Sequence, residues 1–297
     1  MGLLIFGRPG VDRLPGVADL CLAVLSHVGV VGRPSSVGTD MKERDMVVVV
    51  VGGTGQTGTL LVEELRARGH EAVAAARSTG VDVISGGGLE QALAGADVVV
   101  DVLNTTEQEE AAATAFFRES SENVAAAARA AGVRHHVLLS IVGLEAASDL
   151  AYYRAKLAQE AAVKAGGVPY TIVRATQFHT FLAPLIRANS VDGEARLAPV
   201  NLQPIDLADL TTILADVVES EPASTASAGG TGGTVEVAGP EVLPLDEIGR
   251  RLAPDLKITS DGKPFFGANV PVNALVAGPG ARLGTITLAD WQAADGG

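Results

Sequence analysis

Two sets of residues in this sequence have the types and spacing that chemistry requires. The first is the loop GGTGQTG at residues 52–58, which follows five valines at 47–51 and opens a helical pattern. Glycine weakens helices and strands alike, so its density here means that the backbone itself must be approached. In a Gly-x-x-Gly-x-x-Gly run, Gly52 permits a tight turn, Gly55 admits a diphosphate to the backbone, and Gly58 lets the helix pack close to the strand. The helix start then offers unpaired N–H groups and a partial positive charge to phosphate oxygens. Gly52, Thr54, Gly55, Gln56, Thr57 and Gly58 are therefore the candidate binding loop for a dinucleotide. A glycine-rich turn without a ligand is the plainer reading, and the strand before and helix after argue against it. The second set is Tyr152 and Lys156 in YYRAK. At i and i+4 they share one helix face, a phenol beside an ammonium. Tyr153 is a rival, but its own i+4 partner is Leu157, which carries no charge.

Two further positions complete the constellation. An acidic residue about 20 positions past the glycines would bind the 2′-hydroxyl of NAD. That stretch reads AAARST, with Arg77 and Ser78 and no carboxylate. A guanidinium beside a hydroxyl suits a 2′-phosphate, so NADP is favoured over NAD; a merely solvated strand end is the alternative. Ser140 closes the strand-like run HHVLLSIVG ahead of the tyrosine. Ligands of open parallel sheets bind at the carboxyl ends of strands, which is where Ser140 would meet a substrate.

The elements that must hold these residues follow from periodicity. MVVVVVGG is a continuous apolar strand, as expected of one covered on both faces. TGTLLVEELRARGH is a helix, EAVAAARS a strand, LEQALAGA a short helix and DVVVDVLN a strand. A long helix follows, opening with the acidic residues EQEE that its dipole favours, then the strand with Ser140, the helix with YYRAK and the strand PYTIVRAT. Strands alternating with helices, without hairpin signals, predict an α/β doubly wound parallel sheet. Past about 178 the rhythm loosens around the low-complexity stretch PASTASAGGTGG at 222–233, with helices expected at QPIDLADLTTILADVVE and LPLDEIGRRLA. The expected organisation is an N-terminal extension, 1–45, poorly ordered; a cofactor-binding domain, 46–178; and a smaller C-terminal substrate region, 179–297.

Composition narrows the class. Of 297 residues 47% are hydrophobic, 19% charged and 4% aromatic, with a formal net charge of −13. This gives an aliphatic core and no basic cluster, which argues against nucleic acid or an anionic membrane surface as partner. The single cysteine, Cys21, excludes an intramolecular disulfide and fits a reducing, cytoplasmic compartment. No apolar run approaches the roughly 20 residues of a membrane helix. A small-molecule substrate and a monomer or homodimer are expected. His135 and His136 are adjacent in a strand, so they face opposite ways and make no metal pair; no metal site is expected. Asn123 reads as a packing or backbone-bonding residue, and Trp291 as a core anchor.

Together GGTGQTG, AARS, ENVAAAARAAGVRHHVLLS, YYRAK, YTIVRATQFHTFL and PIDLADL resemble the short-chain dehydrogenase/reductase superfamily, in its atypical, NmrA-like NAD(P)-binding branch. The resemblance spans about 46–290 and implies a Rossmann-type fold. It implies that Tyr152 is the general acid protonating a carbonyl oxygen as hydride arrives. Lys156 would hold the nicotinamide ribose and lower the tyrosine pKa, and Ser140 would hydrogen-bond the same oxygen. Leu103 and Asn104 would lie beside the cofactor ribose, Thr176, Gln177 and Phe178 would run past the nicotinamide, and His179 and Phe181 would face the substrate. The implied activity is NADP-dependent reduction of a small carbonyl or quinone-like substrate. Many atypical members lack the Tyr/Lys pair and act as redox sensors, so a non-catalytic NADP-binding regulator is an alternative, as is a nucleotide-sugar epimerase.

Overall fold

The computed structural model describes residues 45–223, 232–260 and 262–295. Residues 1–44 of the expected extension and 224–231 of the low-complexity stretch lie outside them. The strands β1 (Val47–Val51), β2 (Glu71–Ala75), β3 (Val98–Asp101), β4 (His135–Ile141) and β5 (Tyr170–Ala175) alternate with α1 (Gln56–Ala67), α2 (Leu89–Leu93), α3 (Glu110–Ala131) and α4 (Ala151–Ala165). Then come α5 (His179–Ala188), β6 (Ser190–Val191), β7 (Glu194–Arg196), β8 (Asn201–Leu202), α6 (Leu207–Glu219) and β9 (Gly232–Ala238). The chain ends with β10 (Leu243–Pro244), α7 (Leu245–Leu252), β11 (Lys257–Thr259), β12 (Arg282–Leu283) and α8 (Leu288–Asp295). No described helix is long and apolar enough to cross a membrane.

Among the described residues seven strands form one parallel sheet in the order β12-β9-β5-β4-β3-β1-β2. The run of valines explains why β1 is central: Val48 and Val50 pack on one face with Leu61, Leu65, Leu210 and Leu214, while Val49 and Val51 pack on the other with Leu89, Leu93 and Val124. A strand buried on both faces needs apolar residues at every position. The chain leaves β1 towards β2 and then crosses to β3 on the other side, so the connections diverge at β1/β3. That reversal opens a crevice beyond the carboxyl ends of the strands.

Past residue 178 the structure departs from the expected division. β9 pairs along its length with β5, from Tyr170↔Gly232 to Ala175↔Val237, and β12 adds beyond it. α6 covers the same face as α1. The C-terminal part therefore supplies two strands and a covering helix of the main sheet. Its other elements enclose a second core of residues such as Leu182, Ile186, Leu197, Ile248 and Leu275. The strand GGTVEVA was hard to see because its two glycines continue the low-complexity run before it.

The glycine loop shows what the bare backbone is for. Gly52 sits at φ +80°, a conformation that L side chains rarely adopt. A Cβ on Gly58 would stand 2.3 Å from the Gly52 carbonyl oxygen and 2.7 Å from the Gly53 Cα. Gly53, which falls between the motif glycines, is as confined: its Cβ would meet the Val50 oxygen at 2.6 Å and the Ala74 Cα at 2.7 Å. These neighbours are backbone atoms and cannot move aside singly. Gly58→Ala is expected to destabilise the protein by about 1–3 kcal/mol, the usual cost of overpacking. Urea unfolding measures this, and an unchanged midpoint would show that α1 can retreat from β1 freely.

Candidate functional site

The carboxyl end of β1 is closed by backbone hydrogen bonds. The Gly52 N–H donates to the Ala75 carbonyl at 2.9 Å and the Gly55 N–H to the Gly52 carbonyl at 3.0 Å. Gly55 is the N-cap of α1 and offers no side-chain cap to the first-turn N–H groups. Thr54 and Gly55 are exposed, Gln56 and Thr57 half-buried. A Cβ on Gly55 would meet only the Gly52 oxygen, at 3.3 Å. An uncapped helix start with open space before it fits a diphosphate. Arg77 and Ser78, both exposed, begin a single 3₁₀ turn directly after β2. The sequence reading found no carboxylate there, but Asp82 lies close by. Its carboxyl is held below the usual range first by the Ile84 N–H and least by Arg77.

The turn after β3 meets the tyrosine of α4. The Tyr152 hydroxyl donates to Asn104 Oδ1 at 2.6 Å, and Asn104 Oδ1 also accepts from the Thr105 N–H at 2.8 Å. Leu103 donates its N–H to Asp101 Oδ1 at 2.9 Å, fixing the turn out of β3. The Tyr152 ring packs edge-on against Phe117, with centroids 5.7 Å apart. Tyr153 points instead into the second core, where burial pushes its phenol pKa up. Tyr152, Leu103 and Asn104 are thus brought together.

Lys156 and Ser140 are not brought to the tyrosine hydroxyl. Lys156 is 3% exposed. Its Nζ donates to the Leu139 carbonyl at 2.9 Å and to Gln159 Oε1 at 2.5 Å, and lies 4.9 Å from the centre of the Phe117 ring. Burial pulls its pKa down to about 8, against the opposing pull of Asp101 and Glu160. Ser140, 2% exposed, donates to Glu160 Oε1 at 2.7 Å. Glu160 also accepts two hydrogen bonds from Arg174, each at 2.8 Å, and Arg174 reaches on to Glu145. Burial pushes the Glu160 carboxyl up, but Arg174 and Ser140 bring it below the usual range. Helical spacing explains the placement: Glu160 is one turn beyond Lys156 and two beyond Tyr152, so it is the α4 group that sits over Ser140.

The residues after β5 face the C-terminal part. Thr176 is buried and donates to the Gln203 carbonyl at 2.6 Å. Gln177 donates to the Leu275 carbonyl at 3.1 Å and accepts from the Gln203 N–H at 3.3 Å. Phe178 caps α5 and bridges to Ile205. His179, expected on the substrate side, is 1% exposed; its Nδ1 lies 3.5 Å from Asp206 Oδ2 and its ring 5.5 Å from that of Trp291. Asp206 before α6 and Trp291 of α8 flank it, because the first turn of α5 is also the chain's entry into the second core. Phe181 is half-buried against that core. Asn123 donates to the carbonyls of Val83 and Ile84, the backbone-bonding part expected of it. Both His135 and His136 are buried in β4, and burial lowers their pKa values, to about 4 for His135. No group of three His, Cys, Asp or Glu side chains that could hold a metal ion is found among the described residues. Sequence reasoning missed Asp101, Ser121 and Gln159, all fully buried beside Lys156. The available signal was an aspartate closing the otherwise all-valine strand VVVD.

A family model described as NAD(P)H-binding matches residues 52–218, more than half of the chain. Among curated proteins no sequence match is found. Solved structures share the fold at low identity. The Bordetella bronchiseptica enzyme WbmG in complex with NAD aligns at TM-score 0.58 and 18% identity over 84% of this chain and 94% of its own. A dTDP-4-dehydrorhamnose reductase from Bacillus anthracis in complex with NADP aligns at 0.58 and 18%, over 78% and 88%. A GDP-mannoheptose C4 reductase from Campylobacter jejuni with NADP bound aligns at 0.55 and 12%, over 75% and 91%. The matched span contains the glycine loop, Arg77, the Asn104–Tyr152 contact and all of α4: the chain belongs to the NAD(P)H-binding family.

Proposed function

We propose that the protein is an NADP-dependent oxidoreductase that reduces a small carbonyl or quinone-like substrate, with Tyr152 as the proton donor. The observation that carries this reading is the Tyr152–Asn104 hydrogen bond. It sets a phenol at the carboxyl edge of the sheet, next to the β1/β3 crevice where a dinucleotide would lie. The cofactor, when bound, supplies the hydride. The loop from Gly52 to Gly58 would hold its diphosphate, Arg77 and Ser78 its 2′-phosphate, and Leu103 and Asn104 would border its ribose. Tyr152 would exchange Asn104 for the substrate oxygen and hand it a proton. Lys156 acts here from below: its charge favours the phenolate, while its Nζ is occupied by Leu139 and Gln159. The ribose contact that the resemblance implied would need those bonds to break.

One observation favours a second reading. Lys156 is buried and Ser140 is bound to Glu160, so two of the three catalytic candidates point away from the crevice. That suits an NADP-binding regulator without turnover. NADPH consumption against a panel of carbonyls, quinones and nucleotide-linked keto-sugars separates the readings, since a regulator binds the cofactor and oxidises none of it.

The enzyme reading gives two expectations. NADPH binds more tightly than NADH, and Arg77→Ala narrows the gap by about 1–3 kcal/mol, the range for a charge-assisted hydrogen bond; calorimetric titration measures both, and equal affinities in the unmutated protein would refute the preference. Tyr152→Phe keeps the ring against Phe117 and removes the acid. Its turnover is expected to fall by about 10²–10⁴-fold, the usual contribution of a positioned general acid, with NADPH affinity retained. Normal turnover by this variant would make Tyr152 a packing residue.

A further inference from the structure

We infer that Asp101 and Gln159 are positioning residues that hold Lys156 as a charged group and the Asn104–Tyr152 pair in place, both through one buried carboxylate. This rests on the reading of Tyr152 as proton donor. Asp101 closes β3 and is fully buried. Its Oδ1 accepts from the Leu103 N–H at 2.9 Å, which shapes the turn presenting Asn104 to Tyr152. Its Oδ2 accepts from Ser121 Oγ and from Gln159 Nε2, each at 3.1 Å. Gln159 uses its other end, Oε1, to accept from Lys156 Nζ. An amide is suited to that place, because it donates to a carboxylate at one end and accepts from an ammonium at the other.

An isolated ammonium in a dry interior gives up its proton unless a negative charge lies near. The groups facing Lys156 can be named from each element around it. β3 brings Asp101; α4 itself brings Glu160, whose charge is already paired to Arg174 from β5; α3 brings the Phe117 ring and the neutral hydroxyl of Ser121. His136 of β4 is buried and uncharged near Asp101. Among the described residues Asp101 is thus the one carboxylate facing Lys156 without an arginine of its own. The same side chain sets the turn that positions the tyrosine. Neutral Lys156 would leave Tyr152 a weaker acid, so the state of the carboxylate is felt at the hydroxyl.

The test needs no substrate. The chain has five lysines, so the full-length protein labelled with ¹³C at lysine Cε gives a short NMR spectrum, and Lys156→Met assigns the signal. In the unmutated protein Lys156 is expected to titrate at about 8. Asp101→Asn keeps the shape and removes the charge; the midpoint is expected to fall by about one unit or more, the lower end of the effect of a close opposite charge. Gln159→Met, which carries the test if the first variant does not fold, is expected to give a smaller fall in the same direction. A purely structural role would lower stability and leave the midpoint alone, and an unmoved midpoint in a folded variant overturns the inference. Where a substrate is in hand, the alkaline limb of the pH–rate profile moves down with the lysine, and a limb that stays put also overturns it. Normal turnover by Tyr152→Phe would instead refute the proton-donor reading and leave the lysine titration untouched, so the two failures are distinguishable.

Discussion

The approach of α1 to the end of β1, backbone against backbone, is the constraint on which the site depends. With no Cβ at Gly52, Gly53 or Gly58, the helix axis can start directly above the strand end, and its uncapped N–H groups gather there. Any side chain in this contact would push the helix away and carry its uncapped end with it. The parallel register does the rest. Val51 pairs with Asp101, Asp101 with Leu138, and Ser140 with Arg174, so the ends of β1, β3, β4 and β5 arrive at one edge. Residues from four separate stretches of sequence meet there with no dedicated scaffold beyond the sheet.

The two faces of that sheet are built differently. Under α1 and α6 the core is mainly valine, leucine and isoleucine. Under α3 and α4 it holds an aspartate, a lysine, a glutamine, a glutamate and a half-buried arginine, linked by hydrogen bonds. Buried ion pairs seldom add net stability over apolar residues of similar volume. An apolar layer of similar volume would serve stability as well, and the ionic layer lies beneath Tyr152 on the same helix. The ion pair Arg174–Glu160 with Ser140 serves the neighbouring strand and joins the loop at Glu145 to the sheet.

Much of the fold was legible. The valine run, the glycine spacing and the alternation of periods give every strand and helix from β1 to β5, because each is a local pattern repeated until it closes a core. The glycine loop and Arg77 could be placed for the same reason: they sit at strand ends, which chain order predicts. Tyr152 was placed by its helical spacing from Lys156, and its contact with Asn104 was not read. What could not be read was where side chains turn. Ser140 and Lys156 lie on the expected elements, but long-range partners capture them: a glutamate two helical turns past Tyr152 takes Ser140, and a glutamine bridged to a strand aspartate takes Lys156. His179 was given a substrate role by the resemblance; the packing of Trp291 from α8 and the neighbouring Asp206, both distant in sequence, leave it buried. Likewise β9 was hidden, since membership in a sheet is decided by a partner strand about sixty residues earlier.

That late strand shapes how the chain can be made. β9 covers the outer edge of β5 and β12 covers β9, so the sheet begun at Val47 is finished only by residues near the end of the chain. During synthesis the first five strands can pair while β5 still presents open N–H and C=O groups along one side. Contacts of such long sequence separation form slowly, because loop closure must precede them, and an unpaired edge invites other chains. A ribosome-bound intermediate ending near α6 would carry its glycine loop complete and its fifth strand bare, with the strand-end edge laid out before the sheet is safe from aggregation.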